Sequence, residues 1–125
     1  IQLQQIFYRM TKYFIENFNT ANFLTEALYR SKAASYFTNY RVQHFIFVRT
    51  LIEQAQREGD ICSDMNSYEI YTTLQSILIQ PIIIKNNILQ QHKNEPLMDK
   101  LKLIDVSSES SLQKRLRIAF KGLRP

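Results

Sequence analysis

Apolar side chains recur along most of this chain every three or four residues, the spacing that places them on one face of an α-helix. In the first segment Leu3, Ile6, Phe7, Met10, Phe14 and Phe18 follow that rhythm. Gln4, Gln5, Arg9, Lys12 and Glu16 fall between them, so the pattern predicts a helix over about Gln2–Phe18. Asn17, Asn19 and Thr20 make a polar break. A short second helix, about Ala21–Arg30, turns Phe23, Leu24, Ala27 and Leu28 inward, and Ser31 and Lys32 mark a bend. A third runs over about Ala33–Glu58 on the stripe Phe37, Tyr40, His44, Phe47, Val48, Leu51, Ile52 and Ala55. At roughly 1.5 Å per residue it is nearly 40 Å long.

The junction after it is the most informative stretch. Gly59 follows Arg57 and Glu58 and can enter the left-handed region without a Cβ clash, which marks a helix C-terminus. Ile61 is placed to fold back on the helix end. Asn66 and Glu69 have the spacing of a capping box for the next helix. That fourth helix, about Ser67–Gln91, is apolar on more than one face, through Ile70, Tyr71, Leu74, Ile77, Leu78, Ile79, Ile82, Ile83, Ile84, Ile88 and Leu89. A helix apolar nearly all round needs cover on both sides. Pro81 removes one of its hydrogen bonds and kinks the axis. Gln90–Asp105 is polar, holds Pro96, and reads as a loop with one turn around Leu97–Leu101. A fifth helix, about Glu109–Lys121, puts Leu112, Leu116, Ala119 and Phe120 on one face, with Gly122 at its end and Leu123 covering the last turn.

Composition narrows this picture. A chain of 125 residues is one domain, able to bury roughly two thirds of its unfolded surface. With 45% hydrophobic and 22% charged residues it is too apolar to stay disordered. Two glycines and three prolines over this length favour long helices over many short strands. The fold expected is all-α, an antiparallel bundle of about five helices. The single cysteine, Cys62, excludes an internal disulfide and fits a reducing cytosol. The apolar stretch Ile77–Leu89 is interrupted by Gln80, Lys85 and two asparagines and is too short to span a bilayer. The net charge of +5 gives mild attraction to anions. The chain opens at Ile1 already in helical pattern, as a piece of a longer protein would.

The stretch LIEQAQREGDICSDMNSYEIYTTLQSIL resembles the ligand-binding and dimerisation domain of TetR-family transcriptional regulators, with Gly59, Ile61 and Asp64 between the two helices. The closing LQKRLRIAFKGLRP is similar to the family's last helix, with Gly122 and Leu123 at its end. The family's N-terminal helix-turn-helix DNA-binding domain has no counterpart here. The resemblance implies a cytoplasmic homodimer that binds a small, largely apolar effector and contacts DNA only through that other domain.

The chemistry-bearing residues are few. A metal site needs three or four converging ligands, and His44 and His92 are far apart on different elements. No nucleophile sits beside a base, no glycine-rich loop is present, and Cys62 reads as a small packed hydrophobe. No enzyme, metal or cofactor is expected. The ligand-site candidates are Phe7, Phe14, Phe18, Phe37, Tyr40, His44, Phe47, Tyr71 and Gln75, with Tyr36 beside them. Ligand pockets between helices are apolar with a few placed polar groups, and His44 and Gln75 are polar on apolar stripes. The plain alternative is a packed core. The surplus apolar surface of the fourth and fifth helices predicts a two-fold interface at Leu74, Ile77, Ile84, Ile88, Leu112, Leu116, Phe120 and Leu123. Lys114, Arg115, Arg117, Lys121 and Arg124 form a basic cluster that is either a solvated face or a nucleic-acid contact. A purely structural dimerisation module and a basic helical nucleic-acid binder are the other two readings.

Overall fold

A computed structural model of the chain describes residues 2–17, 34–92 and 94–125, with backbone alone for 34–41. Every regular element among the described residues is helical: α1 Gln2–Glu16, α2 Ala34–Arg57, α3 Ser67–Leu78, α4 Gln80–Gln91, α5 Leu97–Lys102 and α6 Glu109–Gly122. This is the all-α bundle that the spacing predicts. The expected short helix at about Ala21–Arg30 lies outside the described residues.

The α2–α3 junction forms as its residues dictate. Gly59 has φ 77°, the only positive φ among the described residues. The Asp60 amide donates to the Ala55 carbonyl at 2.9 Å and the Gly59 amide to Gln56 at 3.1 Å. That pair is the Schellman closure of a helix end. Ile61, 1% exposed, then folds back onto the core. The Asn66 Oδ1 accepts the Glu69 amide at 2.8 Å, and the Glu69 carboxylate accepts from the Asn66 amide at 3.4 Å, which completes the capping box. The Gln56 amide nitrogen donates to the carbonyls of Cys62 and Met65, pinning the connection to α2.

The long apolar helix expected over Ser67–Gln91 is two helices. Ile79 separates α3 from α4, and Pro81 occupies the first turn of α4. Without an N–H, Pro81 cannot continue the ladder. The Ile82 amide reaches only three residues back, to the Ile79 carbonyl at 3.0 Å, and not to Leu78, while Ile83 makes the ordinary four-residue bond to Ile79 at 3.3 Å. The Leu78 carbonyl is therefore left over by the helix, and the Arg115 Nη2 of α6 donates to it at 3.1 Å. A cation at a helix C-terminus also opposes the helix dipole favourably.

The core joins α1, α2, α3 and α6. Leu3 and Phe7 come from α1, Val48, Ile52 and Ala55 from α2, Ile70, Leu74 and Leu78 from α3, and Leu112, Leu116, Ala119 and Phe120 from α6. Leu123 closes it from just past α6. Phe7 meets Phe120 edge to face, ring centres 6.5 Å apart, a favoured aromatic geometry. Ile82 of α4 and Met98 of α5 are buried outside this cluster.

This packing corrects the predicted interface. Leu74, Leu112, Leu116, Phe120 and Leu123 are all buried within one chain. The α6 stripe packs on α3 and α1, so the surface counted as surplus is covered from inside. Ile77 is half-buried against the same core. Only Ile84, 52% exposed, and Ile88, 37% exposed, remain on the surface. Gly122 ends α6 as expected, as its last residue and without a left-handed φ.

Candidate functional site

The packing of α3 on α2 brings one polar pair into an aromatic setting. His44 on α2 and Tyr71 on α3 meet with His44 Nδ1 2.7 Å from the Tyr71 hydroxyl. Their ring centres are 5.7 Å apart. Phe45 stands against the same Tyr71 ring at 5.3 Å and against Tyr68 at 5.6 Å, the latter edge to face. Helical spacing explains the group. Tyr68 and Tyr71 are three residues apart on α3, and His44 and Phe45 flank the inward line of Val48 and Ile52 on α2.

The pair is half-buried, and burial pushes the His44 imidazolium below its ordinary pKa of 6.5. Burial thereby favours the neutral form of the ring. In the tautomer with its hydrogen on Nε2, Nδ1 accepts from the Tyr71 hydroxyl and Nε2 is left as a donor. The arrangement offers a donor, an acceptor and aromatic walls. Gln75, one turn beyond Tyr71, is half-buried on α3.

The other predicted ligand residues scatter. Phe7 belongs to the core, 1% exposed. Phe47 is 66% exposed and does not join the group. It lies about 100° round α2 from Val48, so the stripe expected from Phe37 to Ala55 is wider than the face α3 covers. Phe14 is half-buried on α1. Phe37 and Tyr40 lie on α2 with side chains outside the described set, as does Tyr36, and Phe18 lies outside the described residues altogether. Sequence reasoning missed Phe45 and Tyr68. The available signal was that both are aromatic and sit within three residues of His44 and Tyr71. A cleft lined by Gln2, Leu3, Ile6, Leu51, Gln54, Ala55, Glu58 and Asp60 encloses about 20 Å³, room for one water.

Elsewhere the polar chemistry is structural. No group of three or more His, Cys, Asp or Glu able to hold a metal occurs among the described residues. His92 pairs with Glu95 at 3.0 Å on the surface. Cys62 is partly buried against the core, and burial raises its thiol pKa. A raised pKa leaves little thiolate, the reactive form. Asp105 accepts the amides of Ser107 at 3.0 Å and Ser108 at 2.9 Å and the Ser108 hydroxyl, which holds its carboxyl down to about 2. Ser108 in turn caps α6 through the Ser111 amide. The predicted basic cluster divides. Arg115 is half-buried, bound to Leu78 and, at 2.6 Å, to the Ser111 hydroxyl. Lys114, Arg117, Lys121 and Arg124 are exposed.

No helix among the described residues is long and apolar enough to cross a membrane. Comparison with protein-family models, curated proteins and solved structures finds no match to this chain.

Proposed function

We propose that this chain is the effector-binding and homodimerisation domain of a one-component regulator of the TetR kind that its sequence resembles. A small, largely apolar molecule binds against α2 and α3, with the His44–Tyr71 pair recognising its polar atom. Two copies pair through the apolar surface left on α4, at Ile84 and Ile88. The effector favours one arrangement of the helices, and with it one spacing of two DNA-reading domains outside this chain. It does so only by its difference in affinity between the two arrangements. The observation that carries the reading is the 2.7 Å contact between His44 and Tyr71. Two hydrogen-bonding side chains held half-buried among aromatic rings cost desolvation that a plain apolar core would avoid.

A screen of small aromatic and aliphatic compounds bearing one polar group tests it by shift of the melting temperature. Binding compounds raise the melting temperature of the native chain and lose that effect in Tyr71→Phe and His44→Phe. A compound that stabilises all three chains equally binds elsewhere and refutes the assignment of these two residues. Sedimentation of the native chain as a monomer refutes the pairing.

A second reading, a structural dimerisation module with a filled interior, draws on the core itself. Phe7, Leu74 and Phe120 fill the space between α1, α3 and α6, and the cleft beside Leu3 has room for no more than about one water. Under that reading the chain is dimeric and no compound in the screen shifts its melting temperature.

A further inference from the structure

We propose that the outer face of α6 is a contact surface for the phosphate backbone of double-stranded nucleic acid. Leu112, Leu116, Ala119, Phe120 and Leu123 fix which side of this helix faces inward. Lys114, Arg117 and Lys121 follow at intervals of three and four, so they form one line on the opposite side, and Arg124 follows two residues past the helix end. All four are exposed, and none is ion-paired among the described residues. No carboxylate shares the face: its other members are Ser110, Gln113 and Ile118. The helical part of the line, from Lys114 to Lys121, is about 10 Å long at ~1.5 Å per residue, and Arg124 extends it. Arg115, the fifth cation of the segment, is turned away and used to hold Leu78, which leaves the exposed four as a clean row.

The shape of this charge selects its partner. A folded protein partner needs an apolar centre to its interface, and here only Ile118 stands at the margin. A lipid surface calls for apolar side chains that insert, and the apolar face of α6 is already used by the core. A phosphate backbone needs only cations that follow a line. No aromatic side chain lies on the face to stack unpaired bases, so a duplex fits better than a single strand. Such contacts carry affinity and orientation but no sequence preference. The inference stands apart from the effector reading, since it uses neither His44 nor Tyr71.

Anisotropy of a labelled short DNA duplex titrated with the 125-residue chain tests it. Four phosphate contacts give a slope of log K against log salt of about −3.6, a loss of roughly a hundredfold between about 50 and 200 mM salt. Lys114→Gln with Lys121→Gln flattens the slope by about 2. Arg9→Gln with Lys100→Gln removes the same charge from α1 and α5 and leaves the slope nearly unchanged. All four positions are exposed, and circular dichroism verifies that both variants keep their helix content. Absence of duplex binding at the lowest salt overturns the proposal. So does an equal effect of the two double variants, and so does binding to phosphatidylserine vesicles without binding to the duplex.

Discussion

Leu74→Ala separates core from interface most sharply. Leu74 is fully buried within one chain, at the meeting of α3 with α2 and α6. Truncation removes three buried carbons and leaves a cavity in the core that Leu74 shares with Ile52, Ile70, Leu112 and Leu116. Buried Leu→Ala changes cost about 3–5 kcal/mol when the site cannot collapse, and helices packed on two sides resist collapse. For a chain of this length about 3 kcal/mol lowers the melting temperature by roughly 10–15 °C. Ile84→Ala is the matched control. Ile84 is 52% exposed, so its truncation changes the stability of a single chain by less than about 0.5 kcal/mol. The assay is urea denaturation at several protein concentrations, paired with sedimentation. Pairing couples stability to concentration, so an interface residue acts through that dependence and a core residue does not. The expected outcome is a large, concentration-independent loss for Leu74→Ala with unchanged self-association. Ile84→Ala weakens self-association and spares the single chain. If Leu74→Ala leaves stability intact while abolishing association, the ridge is an interface after all and the core assignment fails.

Three further outcomes are expected. His44 binds its proton more weakly in the fold than in the unfolded chain, so the unfolded state takes up protons first as pH falls below 6.5. The stability His44 permits is complete above that value and declines as pH drops through the folded pKa; His44→Gln flattens this slope in urea midpoints measured against pH. Asp105 has the same sign in a more acidic window, with a folded pKa of about 2 against 3.8. Its contribution is present above 3.8 and is lost as pH falls toward 2, so Asp105→Asn removes that part of the acid unfolding profile followed by circular dichroism. Arg115→Met takes the donor from the Leu78 carbonyl and costs about 1–2 kcal/mol. Hydrogen exchange speeds at the amides of Ile82 and Ile83, beside the break, and Arg115→Lys recovers only part of the protection because one ammonium cannot reproduce the fork to Leu78 and Ser111.

What the sequence by itself determined is local. Gly59 sets a left-handed turn because only glycine enters it without a clash, and the hydrogen bonds from Gly59 and Asp60 follow within six residues. Asn66 and Glu69 cap the next helix because their atoms lie one turn apart. The apolar spacing of α1 and α6 names Leu3, Phe7, Leu112, Leu116 and Phe120 as inward, and all are buried. Pro81 announces a break because it has no N–H to give. Tertiary structure alone decided what each inward face meets. A stripe shows that a face must be covered and is silent on whether the cover comes from the same chain or another. Leu74, Leu112, Leu116, Phe120 and Leu123 therefore read as interface and turn out to be core, once α3 packs on α6. The same holds for the site. His44 and Tyr71 stand 27 positions apart, and only the packing of α3 on α2 brings them to 2.7 Å. It also turns Phe47 away and Phe45 inward, because the true contact face of α2 is narrower than its apolar pattern. Arg115 shows the limit most clearly: its sequence neighbours are cations, yet its partner is a carbonyl freed by a proline on another helix.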